Sequence, residues 1–217
     1  ARLGFVPGWA RPRTSVTSYL DESRLPYFAE FVAAFIAHFK GRIQYIVIWN
    51  EPNVNFEWGY QGIDPAGYTR LLQAVYPRAK QADPSIKILA GALAPTLAPS
   101  GSTDAMNDLE YLQKMYDAGA KDYFDILSVH AYGWTSRADE PPAPSRVNFR
   151  RTELVHDLMI RNGDASKQVM ITEGGWNDHP RWTKAVRPAE RIEDTLRAFD
   201  LCKQWDWVDA CVMWAFR

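Results

Sequence analysis

Two glutamates stand where a short apolar run gives way to a turn: Glu51 in IWNEPN and Glu173 in ITEGGW. A glutamate ahead of a proline is unremarkable by itself, and so is a lone TEGG, but the same arrangement occurring twice in one chain carries information. Pro52 disfavours the helical conformation for the residue before it, so Glu51 is expected to be held extended at a strand end, beside Asn50. Gly174 and Gly175 let the backbone turn sharply and leave the Glu173 carboxylate facing open space. Two carboxyl groups across one cavity suit glycoside hydrolysis. One protonates the leaving oxygen while the other attacks or supports the anomeric carbon, and a spacing of about 5 to 5.5 Å gives retention through a covalent glycosyl-enzyme. Like charges that close cannot both ionise comfortably, so one of the pair becomes the acid at neutral pH.

These carboxylates need a scaffold, and the chain alternates short apolar runs with amphipathic segments. Runs rich in Ile and Val, too short for helices, predict strands at Gly4 to Pro7, Ile43 to Trp49, Ile86 to Leu93, Ile126 to Ala131, Val169 to Thr172 and Ala210 to Phe216. Between them, Phe28, Phe31, Val32, Phe35, Ile36 and Phe39 recur at helical spacing and stop at Gly41, a face expected to pack on a sheet. Asp64-Pro65 is an N-cap followed by proline at the first helical position, and Pro77 is expected to kink the helix that follows. Leu109, Leu112 and Tyr116, then Leu154, Leu158 and Met159, then Ile192, Leu196, Phe199 and Cys202 repeat the scheme.

Strand and helix in alternation, without hairpin signals, imply right-handed crossovers and a parallel sheet covered by helices. Trp9, Glu51, His130, Glu173 and Trp214 fall at the ends of apolar runs, at intervals of about 40 residues with one interval doubled. A (β/α)8 barrel places its active site at that end of its strands. No glycine-rich phosphate loop follows any strand, which argues against a dinucleotide-binding sheet. Six strands are visible where a closed barrel needs eight, so residues 1–217 read as one incomplete TIM-barrel domain, an α/β fold lacking its first two strands and last helix. The proline-rich residues 135–148 read as a surface loop near the mouth.

A net charge of −1 and the absence of a long basic block remove the electrostatic case for nucleic acid or an anionic membrane surface, leaving a small or uncharged partner. No stretch is long and apolar enough to span a bilayer, and no signal peptide opens the sequence, so extracellular and cytoplasmic locations both fit. Cys202 and Cys211 are read as two buried thiols.

IWNEPN, LSVHAYG, ITEGGW and the closing VMWAF resemble the retaining glycoside hydrolases of the large (β/α)8 clan with catalytic glutamates on strands four and seven, most of all the β-xylosidase and α-iduronidase-like branch. The resemblance runs from a third strand at GFVPGWA to an eighth at CVMWAF. It implies Glu51 as acid/base, Asn50 as the partner of the sugar 2-hydroxyl, Glu173 as nucleophile, and His130 and Tyr132 as the strand-six pair, with Tyr132 donating to Glu173. It implies Trp214 as the aromatic floor under the sugar, with a non-proline cis peptide to Ala215. The clan's arginine near the nucleophile comes from a strand these residues lack, and neither Arg11 nor Arg217 can be assigned that duty. The segment alone is therefore expected to be poorly active.

Nine tryptophans add a second signal, because aromatic faces cover the apolar C–H faces of sugars. Trp9, Trp176 and Trp214 are expected to touch substrate and Trp49, Trp205 and Trp207 to fill the core, while Trp58, Trp134 and Trp182 fit either role. His38 and His156 are read as surface or structural, and His179 as an exposed loop residue. The reading calls for a carbohydrate substrate and no cofactor. Its rivals are a carbohydrate-binding barrel that has lost turnover and a metal-dependent hydrolase built on His130, Glu173 and His179, for which no HxH or HExxH spacing is present.

Overall fold

The computed structural model describes residues 1–15 and 19–214. Among them, strands and helices alternate: β1 (Arg2–Leu3), α1 (Leu25–His38), β2 (Tyr45–Ile48), α2 (Pro65–Ala82), β3 (Lys87–Leu93), α3 (Asp108–Asp117), β4 (Ile126–Tyr132), α4 (Arg151–Arg161), β5 (Gln168–Gly175), α5 (Pro188–Gln204) and β6 (Val208–Cys211). The strands form one sheet in sequence order, each parallel to the next. This is an arc of six consecutive strands from the eight that close a barrel.

Both faces of the four middle strands are buried, which is why they read as continuous apolar runs. Ile46 and Ile48 turn outward to meet Val32 and Ile36 of α1 and Leu72 and Val75 of α2, whereas Val47 turns inward with Leu89, Ile126 and Met170. Asp64 caps α2 by accepting from the Gly67 N–H at 2.9 Å. Tyr68 then ties that helix to the sheet: its buried hydroxyl donates to the Ile48 carbonyl at 2.7 Å and accepts from the Gly91 N–H at 2.9 Å.

The two outermost strands depart from expectation. The first strand is Arg2–Leu3 and not Gly4 to Pro7, because pairing with β2 ends where the Trp49 N–H donates to the Leu3 carbonyl at 2.8 Å. Gly4 then passes so near the Trp49 backbone that a Cβ would lie 3.3 Å from its Cα. The last strand begins at Val208 and ends at Cys211, although Val212 and Trp214 still donate backbone bonds to Ile171 and Gly174. Residues 215–217 lie outside the described residues, and with them the expected cis peptide at Ala215.

The helices beside the two sheet edges also differ from expectation. Phe31 of α1 is exposed, and so are Ile192, Leu196 and Phe199 of α5, where Asp194, Ala198 and Cys202 form the buried stripe instead. An arc offers these two helices one covered side, whereas a closed ring would cover them from a second. Both cysteines are free, Cys202 buried and Cys211 half-buried. No helix among the described residues is long and apolar enough to cross a membrane.

The proline-rich loop is held in place by polar contacts. Buried Arg151 at the start of α4 forks onto Asp108 at the start of α3, with Nη2 to Oδ1 at 2.8 Å and Nε to Oδ2 at 2.9 Å, and its Nη1 donates to the Pro144 and Arg146 carbonyls. Asp194 accepts from the Ala138 N–H at 2.9 Å. Removing one partner of a buried, hydrogen-bonded ion pair strands the other charge. Asp108→Ala is therefore expected to destabilise the fold by about 3–5 kcal/mol, read as a lower midpoint in urea unfolding.

Candidate active site

The site is assembled at the C-terminal ends of β1, β2, β4 and β5. After β2 the backbone twists through Trp49 at φ 72° and Glu51 at φ 39°, both in the left-handed region. Glu51 is thus not extended as its proline neighbour predicts. Tertiary bonds override the local preference: the Glu51 N–H donates to the Ala92 carbonyl at 3.0 Å and its carbonyl accepts from the Val54 N–H. Asn53, fully buried, exchanges two 2.9 Å bonds with Ala94 and donates to the Met106 carbonyl. Such backbone strain costs on the order of 1–3 kcal/mol per residue and persists only where the surroundings overdetermine it. Here it fixes the direction of one carboxylate.

β4 and β5 deliver the remaining groups. Their register sets His130 opposite Glu173 and Tyr132 opposite Gly175, after a shift at Val129/His130. His130 Nδ1 lies 2.7 Å from Glu51 Oε1 and 3.7 Å from Glu173 Oε2. The ring's Nε2 is buried and has no partner among the described residues. A hydrogen there would be an orphaned donor, so the geometry assigns it to Nδ1, which donates to Glu51.

Glu173, itself buried, accepts at both oxygens: from the Tyr132 hydroxyl at Oε2, 2.8 Å, and from Arg2 Nη1 at Oε1, 2.6 Å. Burial, then the hydrogen bond and charge of Glu173, push the Tyr132 phenol far above its ordinary value, so it remains a donor. The same Arg2 nitrogen donates to Asn50 Oδ1 at 2.6 Å. Glu51, Glu173, Asn50, His130 and Tyr132 are therefore brought together, with Arg2 bridging Asn50, just past β2, and Glu173 of β5.

Arg2 went unrecognised in the sequence. It stands on a strand of two residues, too short for any alternation to show, and its carboxylate partner is 171 positions away. Arg11 instead donates through Nε to the Val6 carbonyl at 2.7 Å. Glu57, six residues beyond Glu51, is a third carboxylate that sequence patterns do not mark. Burial raises its pKa, the Asn50 hydrogen bond opposes the shift, and the charges of Glu51, Arg2 and Glu173 act on it as well.

The tryptophans divide differently from expectation. Trp9 lies on a short 3-10 turn (Gly8–Ala10), 65% exposed, with its ring edge-on to Tyr27 on the outside of α1. The strand it was expected to terminate ends at Leu3, which moves Trp9 off the mouth. Trp176 is only 7% exposed, lies against Gly133 and Phe149, and spends its indole N–H on the Ser136 carbonyl at 2.8 Å. It is a core residue rather than a stacking surface. Trp214 follows β6, 59% exposed, with its N–H on the Gly174 carbonyl beside Glu173. Trp49 and Trp58 are buried, while Trp134 carries Lys184 Nζ 3.2 Å from its ring centre. His179 is in an exposed loop, and no three His, Cys, Asp or Glu side chains among the described residues converge as metal ligands.

This architecture matches solved structures along almost its whole length. A family 39 glycoside hydrolase from Bacteroides cellulosilyticus superposes with a TM-score of 0.72 at 23% identity, covering 99% of this chain and 42% of that one. The fold is an arc of the (β/α)8 barrel that this enzyme has. A monomeric β-xylosidase from Caulobacter crescentus shares it (TM-score 0.66, 20% identity, 99% of this chain and 44% of that one). An endo-β-1,3-glucanase of family 128 from Sorangium cellulosum shares it over 86% of this chain and 65% of its own (TM-score 0.59, 16% identity). No protein-family model and no curated protein sequence matches the chain. The chain spans less than half the length of the first two barrels and corresponds to an arc of their fold.

Proposed function

We propose that this chain carries the catalytic centre of a retaining glycoside hydrolase acting on a β-linked sugar. The observation that carries the reading is the sharing of His130 Nδ1 by Glu51 and Glu173. Both contacts meet at one nitrogen, so the two carboxylate oxygens are no farther apart than the 2.7 and 3.7 Å legs laid end to end. That limit suits the about 5–5.5 Å spacing of direct attack better than the about 6.5–9.5 Å that leaves room for a water.

In this mechanism a Glu173 oxygen attacks the anomeric carbon as the bond to the leaving oxygen breaks and Glu51 gives that oxygen its proton. His130 occupies Glu51 Oε1, which leaves Oε2 to carry the proton. Arg2 and Tyr132 orient the attacking carboxylate. Water then replaces the leaving group: Glu51 takes its proton, its oxygen bonds to the anomeric carbon, and Glu173 departs as carboxylate. Asn50, which shares Arg2 with Glu173, meets the 2-hydroxyl in this reading.

The test is the configuration of the first-formed product. Proton NMR during hydrolysis of an aryl β-glycoside is expected to show the β-anomer before mutarotation. The α-anomer as first product would overturn the mechanism.

A further inference from the structure

His130 commits one ring nitrogen to Glu51, and the rest of its ring helps to close an internal cavity. The cavity measures about 10 Å3, every residue around it is buried, and its polar walls are His130, Asp108, Arg151 and Thr152. Glu51 and Glu173, the two carboxylates near Nδ1, are not among its walls. The ring edge turned to the cavity is therefore the one that carries Nε2, a buried atom with no partner among the described residues.

The polar side chains of the walls offer acceptors and no spare donor. All five N–H groups of Arg151 are committed: the one on Nε and one on Nη2 to Asp108, the second on Nη2 to Asn107 Oδ1 at 3.3 Å, and both on Nη1 to the Pro144 and Arg146 carbonyls at 3.1 and 3.0 Å. The Thr152 hydroxyl gives its hydrogen to the Phe149 carbonyl at 3.0 Å, which leaves its oxygen able to accept. Asp108 Oδ2 accepts from Arg151 Nε at 2.9 Å and has a second lone pair to offer. With the imidazole hydrogen on Nδ1, Nε2 is a third acceptor. Any guest must therefore bring hydrogens. A water needs roughly 10–15 Å3 and two to four polar partners, and the cavity supplies both. A cation would instead meet the Arg151 guanidinium, whose charge already neutralises Asp108.

We propose that this cavity binds one water molecule, which donates one hydrogen to His130 Nε2 and the other to Asp108 Oδ2 or Thr152 Oγ1, making Asp108 and Thr152 positioning residues for the His130–Glu51 contact. A hydrogen bond received at Nε2 polarises the ring and strengthens the Nδ1–H donor that holds Glu51 Oε1. The imidazole is then gripped at both nitrogens, and Glu51 is held by a ring that cannot turn over. The water site stands apart from the glycosidase reading; its consequence for rate rests on that reading.

The experiment uses the full protein labelled with 15N at histidine. In long-range proton–nitrogen spectra the His130 ring, assigned by its loss in His130→Gln, is expected to show a protonated Nδ1 and an unprotonated Nε2 displaced to lower frequency from a bare acceptor. Val155 also lines the cavity. Val155→Ile puts one more methylene into it and should return Nε2 to the bare position, whereas Thr152→Ser, which keeps the hydroxyl, should leave the signal in place. On a 4-nitrophenyl β-glycoside, kcat of Val155→Ile is expected to fall about two- to fivefold with KM unchanged. A crystal structure of the parent protein, which depends on no variant, should show one water within hydrogen-bond reach of Nε2 and of Asp108 or Thr152. A hydrogen on Nε2, a bare Nε2 in the parent, a signal indifferent to Val155→Ile, a dry cavity, or a peak with the short contacts of a cation would each overturn the water site. An unchanged kcat in Val155→Ile, with Nε2 moved, would overturn the positioning role. Absence of hydrolysis in every form, with the nitrogen signals behaving as described, would sink the glycosidase reading and leave the water site standing.

Discussion

Glu173→Gln is expected to cut hydrolysis of an aryl β-glycoside by on the order of 10⁴-fold or more, with the fold intact. A neutral amide does not form the ester bond to the anomeric carbon, and every later step depends on that bond. The site can receive the glutamine without collapse. Its oxygen still accepts from Arg2, and its NH2 can donate to the Tyr132 hydroxyl, whose proton is free to turn away. The loss is thus chemical rather than structural. Intact-mass measurement with a slow 2-deoxy-2-fluoro glycoside should find one sugar attached to the parent protein and none to the variant. Turnover near that of the parent would remove Glu173 from the mechanism.

Glu51→Ala is the next largest effect, and its size should depend on the leaving group. A poorly activated aglycone needs the proton, so kcat/KM is expected to fall by about 10²- to 10⁴-fold. A dinitrophenolate leaves without one, and its first step should scarcely change, while breakdown of the glycosyl-enzyme slows because no base activates water. Azide, which needs no base, should enter the space left by the carboxylate and restore turnover as the β-glycosyl azide. A uniform loss for all leaving groups, with no azide product, would show that Glu51 supports the fold or binding and does not move a proton.

The parallel strand-helix architecture was legible because it rests on burial: strands covered on both faces must be apolar throughout, and helices between them must carry a stripe. The two glutamates, His130 and Tyr132 were legible because strand ends are marked by the loss of that apolar character. The backbone of Glu51 was not, since its positive φ is imposed by the Ala92 carbonyl and by Asn53, contacts that local preference does not encode. Trp176 reads as a mouth residue from its place after Glu173-Gly-Gly, but Gly133 opens a space that its indole fills; a Cβ there would lie 2.0 Å from the ring. In α5 the apolar periodicity picked Ile192, Leu196 and Phe199, which are exposed, while Asp194, Ala198 and Cys202 are buried, because periodicity does not tell how many neighbours a helix has. Arg2 acquires meaning only through Asn50 and Glu173, which the chain brings to it by folding.

The guanidinium that orients Glu173 is borne by the slightest strand of the sheet, two residues held to β2 at Val47 and Ile48, with no partner strand on the other side among the described residues. The chemistry is thus moored at a rim. Whatever slackens β1 lets go of the Asn50 oxygen and the Glu173 oxygen in one movement, while buried His130 and half-buried Tyr132, both on the central strand β4, stay where they are. Reinforcing that rim would steady the Glu173 carboxylate from outside the cluster it belongs to.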